Sequence, residues 1–487
     1  MNKIETIINK SWFAAVFFGT AILVNIALHF RVFSLDLIGI HVWRQSLTQT
    51  VIDNFYSLDF NILNPRFNDL HYPDRIFRME FPLAQWITAL FYKLFGSSLV
   101  VTRIVFFGAS CFSFLGIFQL IKEITKHTLI AIIGSWCFLF SPILYYYCIN
   151  PLPDTFALCF SIWALLFWIR YLKTNQKSCF IWSCMFFALS VATKLPFIIY
   201  GVMYLVMYIN HENRNAKKLV YYFGFPFVFC IPVFIWYVLA IPHWASQGVL
   251  SGITENNVSF SEAIDILQFN FLSTFPELLI NYATFPLFVI GLYVSVKSIS
   301  FTSPIHWVFI LLASVCCFYF VFEFNVIAKV HDYYLFPFLP VLFIVVAKAI
   351  HYILMSKPKL MFLLILAFVI CPITAYLRCD SRWDINNPGF DKGYLVDLDT
   401  IKKIIPKQSK VIVYGDESSS IVLYRIKRTG WNYNSIPHLK KDFLLCKNQG
   451  ASFIITHSKS LGKSVHLNDS LIHIIFKKGN IEIYKIK

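Results

Sequence analysis

A series of about eleven apolar runs constrains this chain more than any other feature. A helix of about 20 apolar residues crosses the roughly 30 Å core of a bilayer. The runs cover residues 11–30, 99–121, 129–147, 155–171, 178–193, 196–209, 219–241, 276–296, 305–322, 334–350 and 359–377. Only 14% of residues are charged and 57% are hydrophobic, whereas a soluble chain is about a quarter charged. The pattern excludes soluble, disordered and fibrous proteins and predicts an all-α polytopic membrane domain.

The net charge of +16 fits the same class of protein. Membrane proteins concentrate Lys and Arg in cytoplasmic loops and near lipid headgroups, so this charge does not indicate nucleic acid as a partner. The first run follows Lys3 and Lys10 and has no clear cleavage site, which predicts an uncleaved first span with a cytoplasmic N-terminus. We therefore expect a multi-pass protein of the cell (inner) membrane, surrounded by membrane lipids.

The nearly continuous apolar stretch 178–209 decides the predicted topology. As one helix it would be about 48 Å long, too long for the bilayer core. Basic residues flank it on both sides, which places both flanks in the cytoplasm. These residues are Arg170, Lys173, Lys177, Arg214, Lys217 and Lys218. We therefore predict a hairpin of two short helices with Lys194 and Pro196 at its buried tip, a depth at which irregular backbone is found only beside a cavity or within protein.

With this hairpin, the segments 31–98, 243–275 and 323–333 and the tail fall outside the cytoplasm. The stretch 82–95 is too short to span and predicts an interfacial or re-entrant helix. We predict a transmembrane catalytic domain over 1–377, with a long first outer loop at 31–98. The tail 378–487 predicts a small extracytoplasmic α/β domain, with strands at 410–414, 452–456, 471–476 and 481–486 and a helix at 439–449.

The tail has 19 basic and 10 acidic residues. Such a surface can bind anionic headgroups or phosphate, or simply keep the domain soluble, and both interpretations stay open. Ten of the twelve cysteines fall in or beside apolar runs, as small hydrophobic residues do. The other two, Cys379 and Cys446, predict a disulfide in an oxidising compartment. No Cys/His spacing predicts a metal site, and a divalent metal remains open as a cofactor.

The outer segments carry an unusual number of ionisable groups. Carboxylates or an imidazole can take a proton from an incoming nucleophile, and the candidates for this catalytic role are His41, Glu80, Asp154 and Asp36. Cations can bind the phosphate of a lipid-linked substrate, and these candidates are Arg44, Arg66, Arg75, Arg78, Lys194, Lys329 and His331. The aromatic residues Trp43, Tyr333 and Tyr334 are candidates for binding the sugar or the acceptor. We expect five separate segments to converge on one outer-leaflet cavity.

Each group also has a purely structural interpretation. Glu80 and Asp154 precede helices and are suited to capping them. The arginines are suited to lipid headgroups, and His331 and Tyr333 to the aromatic belt. His41 is suited to a hydrogen bond with a carbonyl. Lys194 has the weakest structural interpretation, because a Lys at membrane depth needs a partner.

At these residues the sequence resembles the GT-C class of membrane glycosyltransferases. The branch is the one related to dolichyl-phosphate-mannose protein mannosyltransferases and bacterial aminoarabinose transferases of lipid A. The resemblance covers most of the chain. The motifs that carry it are Glu80-Phe81-Pro82-Leu83 with Phe95-Gly96 and Arg103, Thr193-Lys194-Leu195-Pro196, and Asp154. It implies a GT-C-like fold of about eleven transmembrane helices.

The resemblance further implies a polyprenyl-phosphate-linked sugar donor, an extracytoplasmic acceptor (lipid, glycan or protein) and inversion at the sugar. The family commonly carries an Asp-Glu pair after the first span, with the Asp as base. This chain has His41-Val42-Trp43-Arg44 there. The base is therefore His41, Glu80 or Asp36, or the chain belongs to a divergent subgroup with another mechanism.

Two other functions share some of these features. A transporter or flippase of lipid-linked saccharides would also have many spans and a basic cavity, although internal repeats and short outer loops are more typical of it. A non-catalytic membrane subunit would explain the missing Asp-Glu pair. The gathering of acidic, basic and aromatic groups on one side of the membrane favours the enzyme.

Overall fold

The computed structural model describes residues 10–209, 216–243, 259–300, 302–327, 331–418, 420–457 and 471–487. The chain divides into two compact units, each assembled from segments distant in sequence. The first unit comprises Met1–Ser34, Arg78–Ala84 and Thr102–Cys379. The second comprises Leu35–Phe77, Gln85–Val101 and Asp380–Lys487. The predicted domain boundary at residue 377 stays a prediction.

Helices dominate the membrane part of the chain. Among the described residues, seven helices are long and apolar enough to cross a membrane, or eight if one bent pair forms a single span. The seven are Trp12–Phe33, Leu99–Thr125, Asp154–Thr174, Phe260–Ile280, Pro304–Phe322, Asp332–Ser356 and Pro358–Trp383. The bent pair is Lys217–Phe229 with Ile231–Ala240, at 58°. Shorter apolar helices are Thr128–Leu139, Lys177–Thr193, Leu195–Ile209 and Phe285–Lys297. The predicted polytopic helical architecture is confirmed.

One predicted boundary was wrong. The segment 243–275 was expected to be an outer loop, but a helix runs from Phe260 to Ile280. It begins where the Ser259 hydroxyl accepts a hydrogen bond from the Glu262 amide, a capping arrangement typical of helix starts. Glu262 and Asp265 lower the apolarity of this segment, so hydropathy alone underrated it. The chain turns at Asn281, where φ is +85°, and the next helix is Phe285–Lys297.

The predicted hairpin of 178–209 is present. The first arm is Lys177–Thr193, and the second begins at Leu195 and ends at Ile209. Lys194 joins them in an extended conformation, with Pro196 at the start of the second arm. The Ser190 and Ser183 hydroxyls donate to the Ala157 and Ala164 carbonyls on helix Asp154–Thr174. These bonds fix the hairpin against that helix and so bring Lys194 level with its first residue.

The second unit contains a five-stranded sheet in the order β2-β1-β3-β5-β4. The strands are β1 (Lys410–Tyr414), β2 (Thr429–Tyr433), β3 (Ala451–Thr456), β4 (Ile472–Lys478) and β5 (Ile481–Ile486). β1 pairs in parallel with β2 and β3, whereas β5 is antiparallel to β3 and β4. Helix Ile436–Asn448 packs on one face, and helices Leu398–Ile404 and Ile421–Ile426 on the other. The predicted small α/β fold is confirmed, with β2 as an additional strand.

Part of the first outer loop belongs to this α/β unit. Helix Val42–Ser57 and the turns after it lie in the same unit as the sheet. Asp69 forms a parallel bridge with Gly430 on the edge strand β2, and the Leu70 amide donates to the Gly430 carbonyl. Leu37 and Val42 pack with Ile421 and Tyr424. The loop is therefore held by the sheet and its helices.

Helix Leu83–Phe95 follows the loop, as the stretch 82–95 predicted. Its large apolar side chains Leu90, Leu94 and Phe95 are exposed, which fits the predicted interfacial location. The predicted disulfide was wrong, because both cysteines are free. The Cys379 thiol donates to the Pro142 carbonyl, and the Cys446 sulfur contacts the Tyr433 hydroxyl at 3.3 Å.

Candidate active site

A buried ion pair marks the most unusual polar site of the first unit. Lys194 Nζ lies 3.6 Å from Asp154 Oδ2, and the two side chains are 7% and 1% exposed. Asp154 is the first residue of helix Asp154–Thr174, and Lys194 is the tip of the hairpin packed against that helix. Asp154 therefore lies in the first turn of its helix and also has a buried cation as a partner.

Two tyrosines lie against the same ammonium group. Lys194 Nζ is 4.9 Å from the ring centre of Tyr334 and 5.5 Å from that of Tyr333. Both rings belong to the short helix Asp332–Phe338 and are buried. The His331 ring packs against both, with centroids 5.3 and 5.4 Å away. Cation–π attraction is strongest where water is excluded, so the rings help to hold the Lys charge in a buried position.

A further hydrogen bond fixes this aromatic segment. The Tyr147 hydroxyl donates to Asp332 Oδ1 at 2.5 Å, and the Tyr147 ring packs edge-on against Tyr333. Tyr147 ends the helix Pro142–Tyr147, which leads into the segment before Asp154. In that segment, Asn150 accepts a hydrogen bond from the fully buried Arg103 at 2.9 Å. The elements around the ion pair are thus joined by specific polar contacts.

Glu80 reaches the same unit on an extended segment. The Phe81 amide donates to the Ala192 carbonyl, two residues before Lys194. The Tyr237 hydroxyl donates to that same carbonyl at 3.1 Å. Glu80 is buried, and the hydrogen bond of its neighbour Phe81 holds this segment against the end of the first hairpin arm.

Glu323 is a third buried carboxyl group, and the sequence did not single it out. It directly follows the helix Pro304–Phe322 and is 6% exposed. Glu323 Oε2 is buried and has no hydrogen-bond partner among the described residues. Burial raises the pKa of Glu323 to about 7. The Glu323 carbonyl accepts a hydrogen bond from the Val326 amide, and the Val326 carbonyl accepts one from the His331 amide, which joins Glu323 to the segment that carries Tyr333 and Tyr334.

Comparison with known proteins identifies this arrangement of elements. Residues 80–236 match the family model described as Dolichyl-phosphate-mannose-protein mannosyltransferase. The fold is similar to that of ArnT from Cupriavidus metallidurans in the apo state, with a TM-score of 0.68 and 10% identity over 98% of both chains. ArnT bound to undecaprenyl phosphate gives a TM-score of 0.64 and 11% identity, again over 98% of both.

The chain has the GT-C fold. An oligosaccharyltransferase from Archaeoglobus fulgidus is also similar, with a TM-score of 0.56 and 12% identity over 91% of this chain and 68% of that one. The arabinofuranosyltransferase AftD from Mycobacteria gives a TM-score of 0.59 and 10% identity over 98% of this chain and 41% of that one. No curated protein matches the chain by sequence.

Within this GT-C fold, several candidates from the first outer loop belong to the second unit. Asp36 accepts a hydrogen bond from Arg425 at 2.9 Å. The His41 carbonyl accepts from the Arg44 and Gln45 amides, where His41 has φ of +55° at the start of helix Val42–Ser57. The Trp43 carbonyl accepts from the Ser420 hydroxyl. These contacts show how the loop is anchored.

The loop arginines have similar local contacts. Arg44 is buried, with its guanidinium carbon 5.7 Å from the Phe77 ring centre. Arg66 donates to the Asp74 carbonyl, and Arg75 donates to the Phe67 carbonyl. Arg78 is half-buried and belongs to the first unit, whereas Lys329 lies outside the described residues.

Of the five segments expected to converge, those of Glu80, Asp154, Lys194 and Tyr333 belong to the first unit, and that of His41 to the second. Within the described part of the chain, no group of three or more His, Cys, Asp or Glu residues could hold a metal ion. The site of the first unit brings together a buried cation and its carboxylate partner, two further carboxyl groups, and several aromatic rings.

Proposed function

We propose that the protein is a membrane glycosyltransferase that moves a sugar from a polyprenyl-phosphate donor to an acceptor outside the cytoplasm, with inversion. The observation that carries this proposal is the buried Lys194–Asp154 pair against Tyr333 and Tyr334. The GT-C fold and the match of residues 80–236 support the reaction class. The similarity to an ArnT structure bound to undecaprenyl phosphate supports the donor class.

Lys194 is the proposed phosphate-binding group. A buried ammonium is costly to desolvate, and an arriving phosphate anion would add a second partner to the one it has in Asp154. The charge of the departing lipid phosphate would then develop beside a fixed cation, which stabilises the transition state. We propose His331 and Arg78 of the same unit as further groups of this site, with Lys329 as an additional candidate.

The two tyrosines are the proposed sugar platform. Aromatic rings offer flat apolar faces for the C–H side of a sugar, and the hydroxyl groups offer hydrogen bonds. Both rings also contact Lys194, so the sugar and the phosphate to which it is bonded would occupy adjacent positions. Trp43 stays a candidate for the acceptor side.

A direct displacement needs one base opposite the leaving phosphate. Of the residues proposed from the first outer loop, Glu80 lies in the same unit as Lys194. Asp36 is occupied by Arg425, and the second-unit residue His41 is a weaker candidate than Glu80. Asp154 is paired with Lys194, which suits it to positioning that cation. Glu80 is therefore the first-loop candidate for the base.

The proposed orientation follows the charge distribution. Basic side chains gather at one end of the spans, where Arg170 and Lys173 surround Glu123. By the positive-inside rule this end faces the cytoplasm. The N-terminus would then be cytoplasmic and residues 378–487 extracytoplasmic, in the cell (inner) membrane. Lipid, glycan and protein all remain possible acceptors.

A reconstituted transfer assay tests the function. Full-length protein in lipid nanodiscs is supplied with a panel of undecaprenyl-phosphate sugars and envelope glycolipids. We expect transfer by the wild type and a loss of at least 100-fold in Lys194→Ala, whereas the exposed control Lys177→Ala keeps full activity. Movement of the lipid-linked sugar across a vesicle bilayer without transfer would instead support a flippase, and neither activity would support a non-catalytic subunit.

A further inference from the structure

Glu323 is the buried titratable group that the site described above leaves without a role. Its backbone is firmly placed, because its amide donates to the Tyr319 carbonyl and its own carbonyl accepts from the Val326 and Ile327 amides. Its side chain is buried, yet Oε2 has no hydrogen-bond partner among the described residues. A buried carboxyl oxygen without such a partner costs free energy in the folded state, and buried carboxyl groups with a perturbed pKa are candidates for functional sites.

The position of Glu323 relates it to the proposed site. Tyr319 lies one helical turn before Glu323, and its ring packs against Phe338 of the short helix Asp332–Phe338, with centroids 6.4 Å apart. Tyr334 of that short helix lies against the Lys194 ammonium. Glu323 therefore lies beside the segment that carries the two tyrosines. It belongs to a different helix than Asp154 and Lys194 do.

We propose that the Glu323 carboxylate accepts the proton of the attacking acceptor hydroxyl. This inference rests on the proposed glycosyltransferase function and names the base of that reaction, in competition with Glu80. In the step, the acceptor oxygen forms a bond to the anomeric carbon while the bond from that carbon to the phosphate oxygen breaks. The electron pair leaves with the polyprenyl monophosphate, and the hydroxyl proton passes to Glu323.

The protonation chemistry of Glu323 suits this role. A general base works best when its pKa is near the operating pH, because the ionised form is then available and still basic. Burial holds the pKa of Glu323 at about 7, compared with 4.5 for an ordinary Glu. The titratable groups on the elements joined to it are Tyr319 on its own helix and His331, Tyr333 and Tyr334 on the segment that follows. The carboxylate is the active form, so transfer is expected to rise with pH through about 7.

The test is a pH–rate profile of the full-length protein in nanodiscs with the same sugar panel. We expect kcat to fall by about 100- to 10,000-fold in Glu323→Gln, a typical loss for a general base, with KM for the donor nearly unchanged. The wild type and the exposed control Glu417→Gln should keep the rise in rate near pH 7. Glu323→Asp should keep part of the activity with a shifted profile.

The possible outcomes separate this proposal from the function on which it rests. If the wild type transfers sugar and Glu323→Gln has the same kcat and the same pH profile, Glu323 is not the base, although the proposed function stands. Loss of transfer in Glu80→Gln, with normal transfer in Glu323→Gln, would assign the base to the first outer loop. Absence of transfer in the wild type would overturn both. Labelling by dicyclohexylcarbodiimide, which modifies protonated buried carboxyls, adds a readout independent of turnover: wild-type Glu323 should react at pH 6 and lose reactivity above pH 8.

Discussion

The Lys194 ammonium and the Asp154 carboxylate pair at 3.6 Å, and each side chain is less than one-tenth exposed. Removing one partner of a buried pair leaves an uncompensated charge and typically costs about 3–5 kcal/mol. We expect Lys194→Met and Asp154→Leu each to lower the free energy of unfolding by such an amount. The double variant should lose less than the sum, because it leaves no buried charge. Thermal unfolding in detergent measures the three differences.

All three of these variants should lack transfer, because the phosphate-binding cation is absent or unpositioned in each. An additive loss of stability in the double variant would contradict the coupling of the two side chains. Sugar transfer by the Lys194→Met variant would contradict the assignment of Lys194 as the phosphate-binding group.

Asp36 and Arg425 make a second prediction, in the other unit. Arg425 donates to Asp36 Oδ2 and to the Leu37 carbonyl, and its guanidinium lies 4.0 Å from the Phe390 ring centre. Arg425→Ala removes all three contacts and should destabilise the unit by about 3 kcal/mol. Asp36→Asn removes only a half-exposed charge and should cost about 1 kcal/mol. Resistance of the second unit to limited proteolysis reports both effects.

Transfer activity should persist in Asp36→Asn, since this carboxylate is held by Arg425 as a structural partner. A variant with unchanged protease resistance but no transfer would instead make Asp36 the base.

The edge of the sheet provides a third prediction. A methyl group at Gly430 would lie 1.9 Å from the Val411 carbonyl oxygen, which belongs to the neighbouring strand and cannot move away easily. Gly430→Ala should therefore cost about 4 kcal/mol or more. The matched control is Gly479→Ala, in the β4–β5 turn, where φ is +59° and a Cβ would meet open space. Its cost should be about 1–2 kcal/mol.

Hydrogen exchange of β1 and β2 amides measures this difference, and equal protection in the two variants would contradict the close approach of Gly430 to Val411.

Glu323 gives a prediction about stability and pH. Because its folded pKa of about 7 is above the unfolded value of 4.5, the folded state binds this proton more tightly. The resulting stabilisation is complete below about pH 4.5 and is lost as pH rises through 7, a change of about 3 kcal/mol. Glu323→Gln cannot lose a proton. Its melting temperature should therefore exceed that of the wild type at pH 8 by more than at pH 5, and a difference independent of pH would contradict the raised pKa.

The local features of the site were predictable from the sequence. An apolar stretch too long for one span, with basic flanks and a central Lys-Leu-Pro, predicted the hairpin and the burial of Lys194. The turn residues Gly479 and Asn480 between apolar runs predicted the β4–β5 hairpin, and Gly450 predicted the end of the preceding helix. In each case a few neighbouring residues determine the conformation.

Features that depend on distant partners were not predictable. The residues Thr429–Tyr433 lack alternation, and they form β2 because β1 and the loop residue Asp69 offer hydrogen-bonding partners. Glu323 is one acidic residue beside an apolar helix, and its significance depends on burial near Tyr319. The helix Phe260–Ile280 carries Glu262 and Asp265 near its start, which lowers its apparent hydropathy. Division of the first outer loop between two units also depends on contacts far apart in sequence.

The bridge between Asp69 and Gly430 has a consequence for the order in which the protein is made. The loop residues leave the ribosome early, but their partner strand follows roughly 360 residues later, which at about 5–20 residues per second takes about 20 to 70 s. During this interval the loop has no sheet on which to dock, while several spans must be inserted. We therefore expect this unit to assemble late in biogenesis, when the newly made C-terminal segment binds the N-terminal loop that was synthesised earlier.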